Sequence, residues 1–174
     1  MDRGEVASDA SSLIYLAKAD AFEDAVAAIG VLLTPSAVWD EAVVAGEQIG
    51  ATEVPRIHAA VQRGLARRLE LDDEQRALAT TIRTEHRLGA GESEVLAWGV
   101  ESRRALLDEG RATRVAERLG VVPVSTLFLP LVGRRDRALD EERALSFLRK
   151  VAVVTGARAE TIFVIERHIR EGGT

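Results

Sequence analysis

Two stretches of this chain share one design, and it constrains the fold more than any other feature. From Glu5 to Ala19, EVASDASSLIYLAKA, a very short apolar strand (Val6-Ala7-Ser8) ends on Asp9, and an apolar helix with Leu13, Ile14, Leu16 and Ala17 follows at once. Ala105-Leu106-Leu107 then repeats the pattern: it ends on Asp108, passes Glu109-Gly110, and enters a helix from Arg111 to Leu119 that Gly120 stops. Strands that feed directly into helices return in the same direction. The pattern therefore predicts α/β architecture, with a mainly parallel central sheet and helices on both faces. In open sheets of this kind, ligands bind outside the carboxyl ends of the strands. Asp9 and Asp108 are expected at that edge. A plainer role for Asp9 is to cap the helix behind it, with Ser11 and Ser12 assisting.

The rest of the chain fills in the same alternation. A second amphipathic helix runs from Asp20 to Ile29, and Gly30 ends it. Val31-Leu32-Leu33 reads as a buried strand. Thr34 and Pro35 suit the N-cap and first position of a helix that reaches Gly46. Ile57–Arg63 predicts a further helix, Ala66–Leu71 an edge strand, and Asp72 or Asp73 the start of a charged helix to about Arg87. Leu88 to Gly91 reads as a turn. Val121–Val124 is the next strand and ends on Ser125 and Thr126, with a helix from Leu127 to Val132. Residues 1–174 are read as one domain, with 140–170 as closing C-terminal helices.

Three further acids gather around these elements. On its helix, Glu41 has apolar neighbours at i±3 and i±4 (Ala37, Val38, Val44, Ala45), so it is either directed into a semi-buried groove or a solvated helix acid. Glu92 and Glu94 open a helix whose Val95–Val100 segment is apolar or Gly on every face and should be buried. Acids there gain from the helix dipole. Glu94 adjoins the buried run, where an unpartnered charge is costly and a cation would supply a partner. Clustered carboxylates repel unless a cation lies among them. An oxygen-only set points to Mg²⁺ or Mn²⁺.

Composition narrows the classes. The chain has 174 residues, 47% apolar, net charge −5, and no cysteine. This excludes thiolate chemistry and disfavours a general basic nucleic-acid coat. A cytoplasmic location is expected: MDRGEVAS lacks the pattern of a signal peptide, and no apolar run nears the ~20 residues that span a bilayer. His58, His86 and His168 show no ligand spacing. The cations are nearly all arginine. Arg103, Arg104, Arg111 and Arg114 are weak candidates for phosphate contacts, each also readable as a solvated side chain.

Five segments in order resemble the PIN-domain family, which includes the VapC-type toxin ribonucleases. They are DASSLIYL at 9–16, TPSAVWDE at 34–41, LGAGESEVLAW at 88–98, ALLDEGRATRVA at 105–116 and VVPVSTL at 121–127. The resemblance implies a three-layer α/β/α fold and maps the four family acids onto Asp9, Glu41, Glu94 and Asp108, as catalytic residues and metal ligands. Glu92 and Glu109 are secondary candidates. Ser11, Ser12, Ser125 and Thr126 are supporting hydroxyls. It departs from the family at 107–110, where Leu-Asp-Glu-Gly replaces a common Thr-x-Asp pattern and resembles a less characterised PIN-like subgroup. The resemblance further implies endonucleolytic RNA cleavage with Mg²⁺ or Mn²⁺, the toxin role in a toxin–antitoxin pair, inhibition by a small antitoxin protein, and a homodimer. The alternative is a PIN-like protein-binding module with a weak or lost site. A phosphoryl-accepting receiver would need a lysine after the last strand, where Ser125-Thr126-Leu127 stands. A haloacid-dehalogenase-type phosphatase would want an Asp at position 11.

Overall fold

The structure, a computed structural model, describes residues 4–108 and 110–172. Among them five strands form one all-parallel sheet in the order β3-β2-β1-β4-β5: β1 (Glu5–Ser8), β2 (Val31–Pro35), β3 (Ala66–Leu69), β4 (Arg104–Leu106) and β5 (Val122–Val124). Strands this short and apolar (Val6, Ala7, Leu32, Leu33, Ala105 and Leu106 are all buried) suit a sheet covered on both faces.

The central position of β1 follows from this order. It has β2 on one side and β4 on the other, so the connections diverge between β1 and β4. Such a switch point opens a crevice at the carboxyl edge. Asp9 lies directly beyond β1, and its N–H donates to Leu106 O at 3.0 Å, closing β1 onto β4 there.

On one face, α7 (Ala90–Ser102) lies against β1, β2 and β4, flanked by α6 (Asp73–His86) and α8 (Gly110–Arg118). A second group joins α1 (Ala10–Ala19), α2 (Phe22–Ile29), α9 (Leu129–Arg135), α10 (Glu141–Thr155) and α11 (Ala159–Arg170), with α5 (Val54–Gln62) beside α1. Together they give the three-layer α/β/α arrangement. Helices occupy the closing C-terminal stretch. Phe147 of α10 is fully buried in the core, and Asp24 of α2 is held by Arg143 at 2.6 Å and Lys150 at 3.6 Å.

Three local expectations change. Thr34 and Pro35 do not begin a helix: pairing with β3 continues through Thr34↔Arg68 and Pro35↔Leu69, so Pro35 becomes the cap residue, and α3 (Ser36–Trp39) starts one residue later. That helix is not regular. A π-helical turn over Asp40–Val44, in which Ala45 N–H reaches back to Asp40 O, separates α3 from α4 (Ala45–Gln48). Finally, the 88–91 turn is shorter than its glycines suggest. Gly89 caps α7, and Gly91 lies within it against Val38, where a Cβ would meet Val38 Cγ2 at 3.0 Å.

Candidate active site

Asp9 is both a cap and a buried acid. Its Oδ1 accepts from Ser12 N–H at 2.8 Å, the N-cap bond of α1. Its Oδ2 accepts from Asp108 N–H at 3.1 Å, a bond across the switch point. The residue is only 3% exposed. Burial outweighs these bonds and pushes its carboxyl from 3.8 up to about 6, with the nearby Asp108 charge adding to the rise. An acid in that condition gains from a cation beside it.

Asp108 is held differently. Its Oδ1 accepts from Ser125 Oγ at 2.6 Å and Thr126 N–H at 3.0 Å; its Oδ2 accepts from Ser12 Oγ at 2.8 Å and Thr126 Oγ1 at 2.6 Å. Four donors fill the roughly four acceptor positions of a carboxylate. Asp108 therefore pins the end of β4 to the starts of α1 and of the 3₁₀ turn Thr126–Phe128. It borders a larger cleft of about 1080 Å³ along β5, not the pocket beside Asp9.

That pocket, of about 240 Å³, is walled by Asp9, Ala10, Ser11, Glu41, Gly89 and Glu92. Three acids thus converge from three elements, with no cationic side chain on the wall. Glu41 arrives on the π-helical turn; such turns are rare and frequent at functional sites. It is exposed rather than semi-buried, because Val44 and Ala45 beside it also face solvent. Glu92 is half-buried, and its Oε2 accepts from Gly89 N–H at 2.8 Å. This fixes the carboxylate at the first turn of α7.

Glu94, preferred from sequence over Glu92, is turned elsewhere. Residues two apart on a helix point about 200° from each other, so both acids cannot face one pocket. Glu94 Oε2 accepts from Ala37 N–H at 2.9 Å, and its carboxylate borders a separate cavity with Arg76 and Arg83. Burial of the following run thus brings Glu94 a backbone donor from α3, the helix that leads into Glu41. The Gly89-x-x-Glu92 spacing, that of a helix N-cap and its third residue, is the sequence signal that singles out Glu92.

Ser11 lines the acidic pocket, whereas Ser12, Ser125 and Thr126 serve Asp108. Arg103 and Arg104 stand at the start of β4, the edge opposite the acidic pocket. Arg111 donates to Arg87 O at 3.2 Å, and Arg114 is exposed on α8; neither lines the pocket. Glu109 lies outside the described residues.

The donor set fits a hard divalent cation: carboxylates without thiolate or imidazole, one of them buried with its carboxyl pushed up to about 6, suit Mg²⁺ or Mn²⁺. The three acids line the pocket without converging on one point. Among the described residues, no group of three acid, imidazole or thiol side chains already stands at ligand spacing. The Glu41 side chain has no hydrogen bond or ion pair among the described residues, so it is free to turn inward.

The chain thus combines an all-parallel three-layer α/β/α fold with carboxylates gathered at the switch point of its sheet. A family model described as PIN domain matches residues 5–158, and the chain belongs to that family. PIN domains are generally nucleases that use divalent metals, which places the chain with the hydrolases. No curated protein and no solved structure matches the chain. Among the described residues, no helix is long and apolar enough to cross a membrane.

Proposed function

We propose that this protein is a metal-dependent endoribonuclease, with Asp9, Glu41 and Glu92 as the residues that hold Mg²⁺ or Mn²⁺. The observation that carries the reading is the convergence of these three acids on one small pocket, with the buried member pushed up to about 6. A divalent ion bound there supplies an activated water and charge stabilisation at the scissile phosphate. Asp9 offers the buried anionic anchor. Ser11 adds a hydroxyl to the same wall. Asp108 acts as a positioning residue: its N–H holds Asp9 Oδ2, and its side chain locks three chain segments around the switch point. Glu94 positions the start of α3 and, through it, Glu41.

The reading includes a cytoplasmic toxin role within a toxin–antitoxin pair, a small antitoxin protein as its inhibitor, and a homodimer. These rest on the family resemblance. The second reading, a PIN-like binding module with a weak site, draws on one observation: the carboxylates line the pocket without standing at ligand spacing. RNA cleavage in Mg²⁺ or Mn²⁺, with and without EDTA, for the wild type and Asp9→Asn separates the two. Metal-dependent cleavage that the substitution abolishes is expected. Equal activity in both proteins removes Asp9 from the site. No cleavage together with tight capture of a small partner favours the binding module.

A further inference from the structure

The helix before the acidic pocket segregates its charges. In α6, Arg76, Thr80 and Arg83 fall within a sector of about 60°, whereas Glu74 and Glu85 lie about 160–180° from Arg76. Ala79 and Ile82 are the buried positions, so both charged flanks border the seam with the body. Arg87, the left-handed cap at the end of α6, continues the basic flank. Two residues later comes Gly89 of the acidic pocket.

This basic flank faces the same turn of α7 that builds the acidic pocket. Arg76, Thr80 and Arg83 share a cavity of about 220 Å³ with Ala90, Ser93 and Glu94, while Gly89 and Glu92 wall the acidic pocket. The two cavities thus flank one helical turn. Arg76 is held by Leu71 O and Asp73, and Glu94 gives one oxygen to Ala37 N–H. The Arg83 side chain has no hydrogen bond or ion pair among the described residues. Its helix neighbours at i±3 and i±4 are Ala79, Thr80, His86 and Arg87, none of them acidic. Arg83 and Arg87 are both exposed and bring like charge to the end of α6. Arg111 adds a third cation here by donating to Arg87 O. In a chain of net charge −5, Arg83, Arg87 and Arg111 have no salt bridge among the described residues, and Glu94 is the one acid on the wall of the Arg83 cavity, so this arginine ridge beside a carboxylate pocket suits an extended anion passing between them.

We infer that the Arg83–Arg87–Arg111 ridge on α6 and the start of α8 is the track for the phosphate backbone of a single-stranded RNA, delivering it across the first turn of α7 to the acidic pocket. The choice of RNA rests on the ribonuclease reading; the ridge itself rests on the charge segregation. Planar guanidinium groups suit phosphate. The opposite wall is acidic, so a polyanion is drawn to the pocket by this flank and by the metal site, not by the net charge.

The test is a binding measurement that needs no turnover. Fluorescence anisotropy follows a short labelled single-stranded RNA on the Asp9→Asn protein in EDTA, as salt is varied. Each single-strand phosphate contact contributes about 0.7 to the slope of log K against log salt, hence roughly fivefold in affinity at about 0.1 M salt. Arg83→Gln with Arg87→Gln is expected to lower the slope by about 1.4 and to weaken binding about 25-fold near that salt. The Arg83→Lys, Arg87→Lys pair keeps the charge and most of the slope. Arg103→Gln, at the opposite sheet edge, leaves both unchanged. The inference is overturned by absence of RNA binding, by an unchanged slope in the double Gln variant, or by polyglutamate displacing the RNA as well as unlabelled RNA does. Binding through the ridge without cleavage in the parallel metal assay would remove the nuclease reading and leave the track standing. Cleavage with an unchanged slope would remove the track alone.

Discussion

Replacing Asp9 with Asn separates the cost of its buried charge from the worth of its hydrogen bonds, because only the first depends on pH. The carboxyl is 3% exposed and raised from 3.8 to about 6. The difference between those values corresponds to about 3 kcal/mol. Below about pH 3 the group is protonated in both states and carries no penalty. Between about pH 4 and 6 the unfolded chain ionises first, so stability falls as pH rises, and above about pH 6 the full cost of about 3 kcal/mol is present. Asn does not titrate. It does lose one of the two acceptors that serve Ser12 N–H and Asp108 N–H, a pH-independent cost of about 1–3 kcal/mol. Asp9→Asn is thus expected to be less stable than wild type at about pH 4, and as stable or up to about 2 kcal/mol more stable at about pH 7.5. Urea unfolding of both proteins across that range, without divalent ions, reads the difference. The change in ΔΔG between the two ends should be about 2.5 kcal/mol in favour of Asn at the higher pH. A ΔΔG flat to about 0.5 kcal/mol refutes the buried-charge account of the site.

Three other perturbations test the supports of the pocket and fold. Glu94→Ala leaves Ala37 N–H without its acceptor and should cost about 1–3 kcal/mol in urea unfolding, with a loss of cleavage smaller than for Glu92→Gln. Asp24→Ala removes the anion shared by Arg143 and Lys150; because both cations are nearly half exposed, a modest loss of about 1–2 kcal/mol is expected, not the larger cost of a fully buried pair. Gly133→Ala places a Cβ 2.6 Å from Leu139 Cδ1 and 2.8 Å from its Cγ, and should cost about 1–3 kcal/mol of overpacking.

Much of this architecture was legible because strand and helix lengths are set by local pattern. The acid-ended strands at Asp9 and Asp108 gave the parallel sheet and its edge, and Gly30 and Gly120 mark helix ends in both sequence and structure. Less legible were features that depend on angle around a helix. Apolar adjacency favoured Glu94, yet a rotation of about 200° decides which of two alternate residues meets the pocket, and that is set by Gly91 packing on Val38. The π-helical turn at Glu41 has no one-dimensional signature. The four-donor cradle of Asp108 arises from Ser12, Ser125 and Thr126, brought together only by the fold.

The most direct test of the central claim is the rate at which Glu92→Gln cleaves a labelled RNA in Mn²⁺, measured beside wild type. Glu92 shares the pocket with Asp9 and Glu41. Loss of a ligand there is predicted to lower the rate by about 100-fold or more, while the stability of the chain changes little. A Glu92→Gln protein that cleaves at the wild-type rate would contradict the assignment of the acidic pocket as the metal centre.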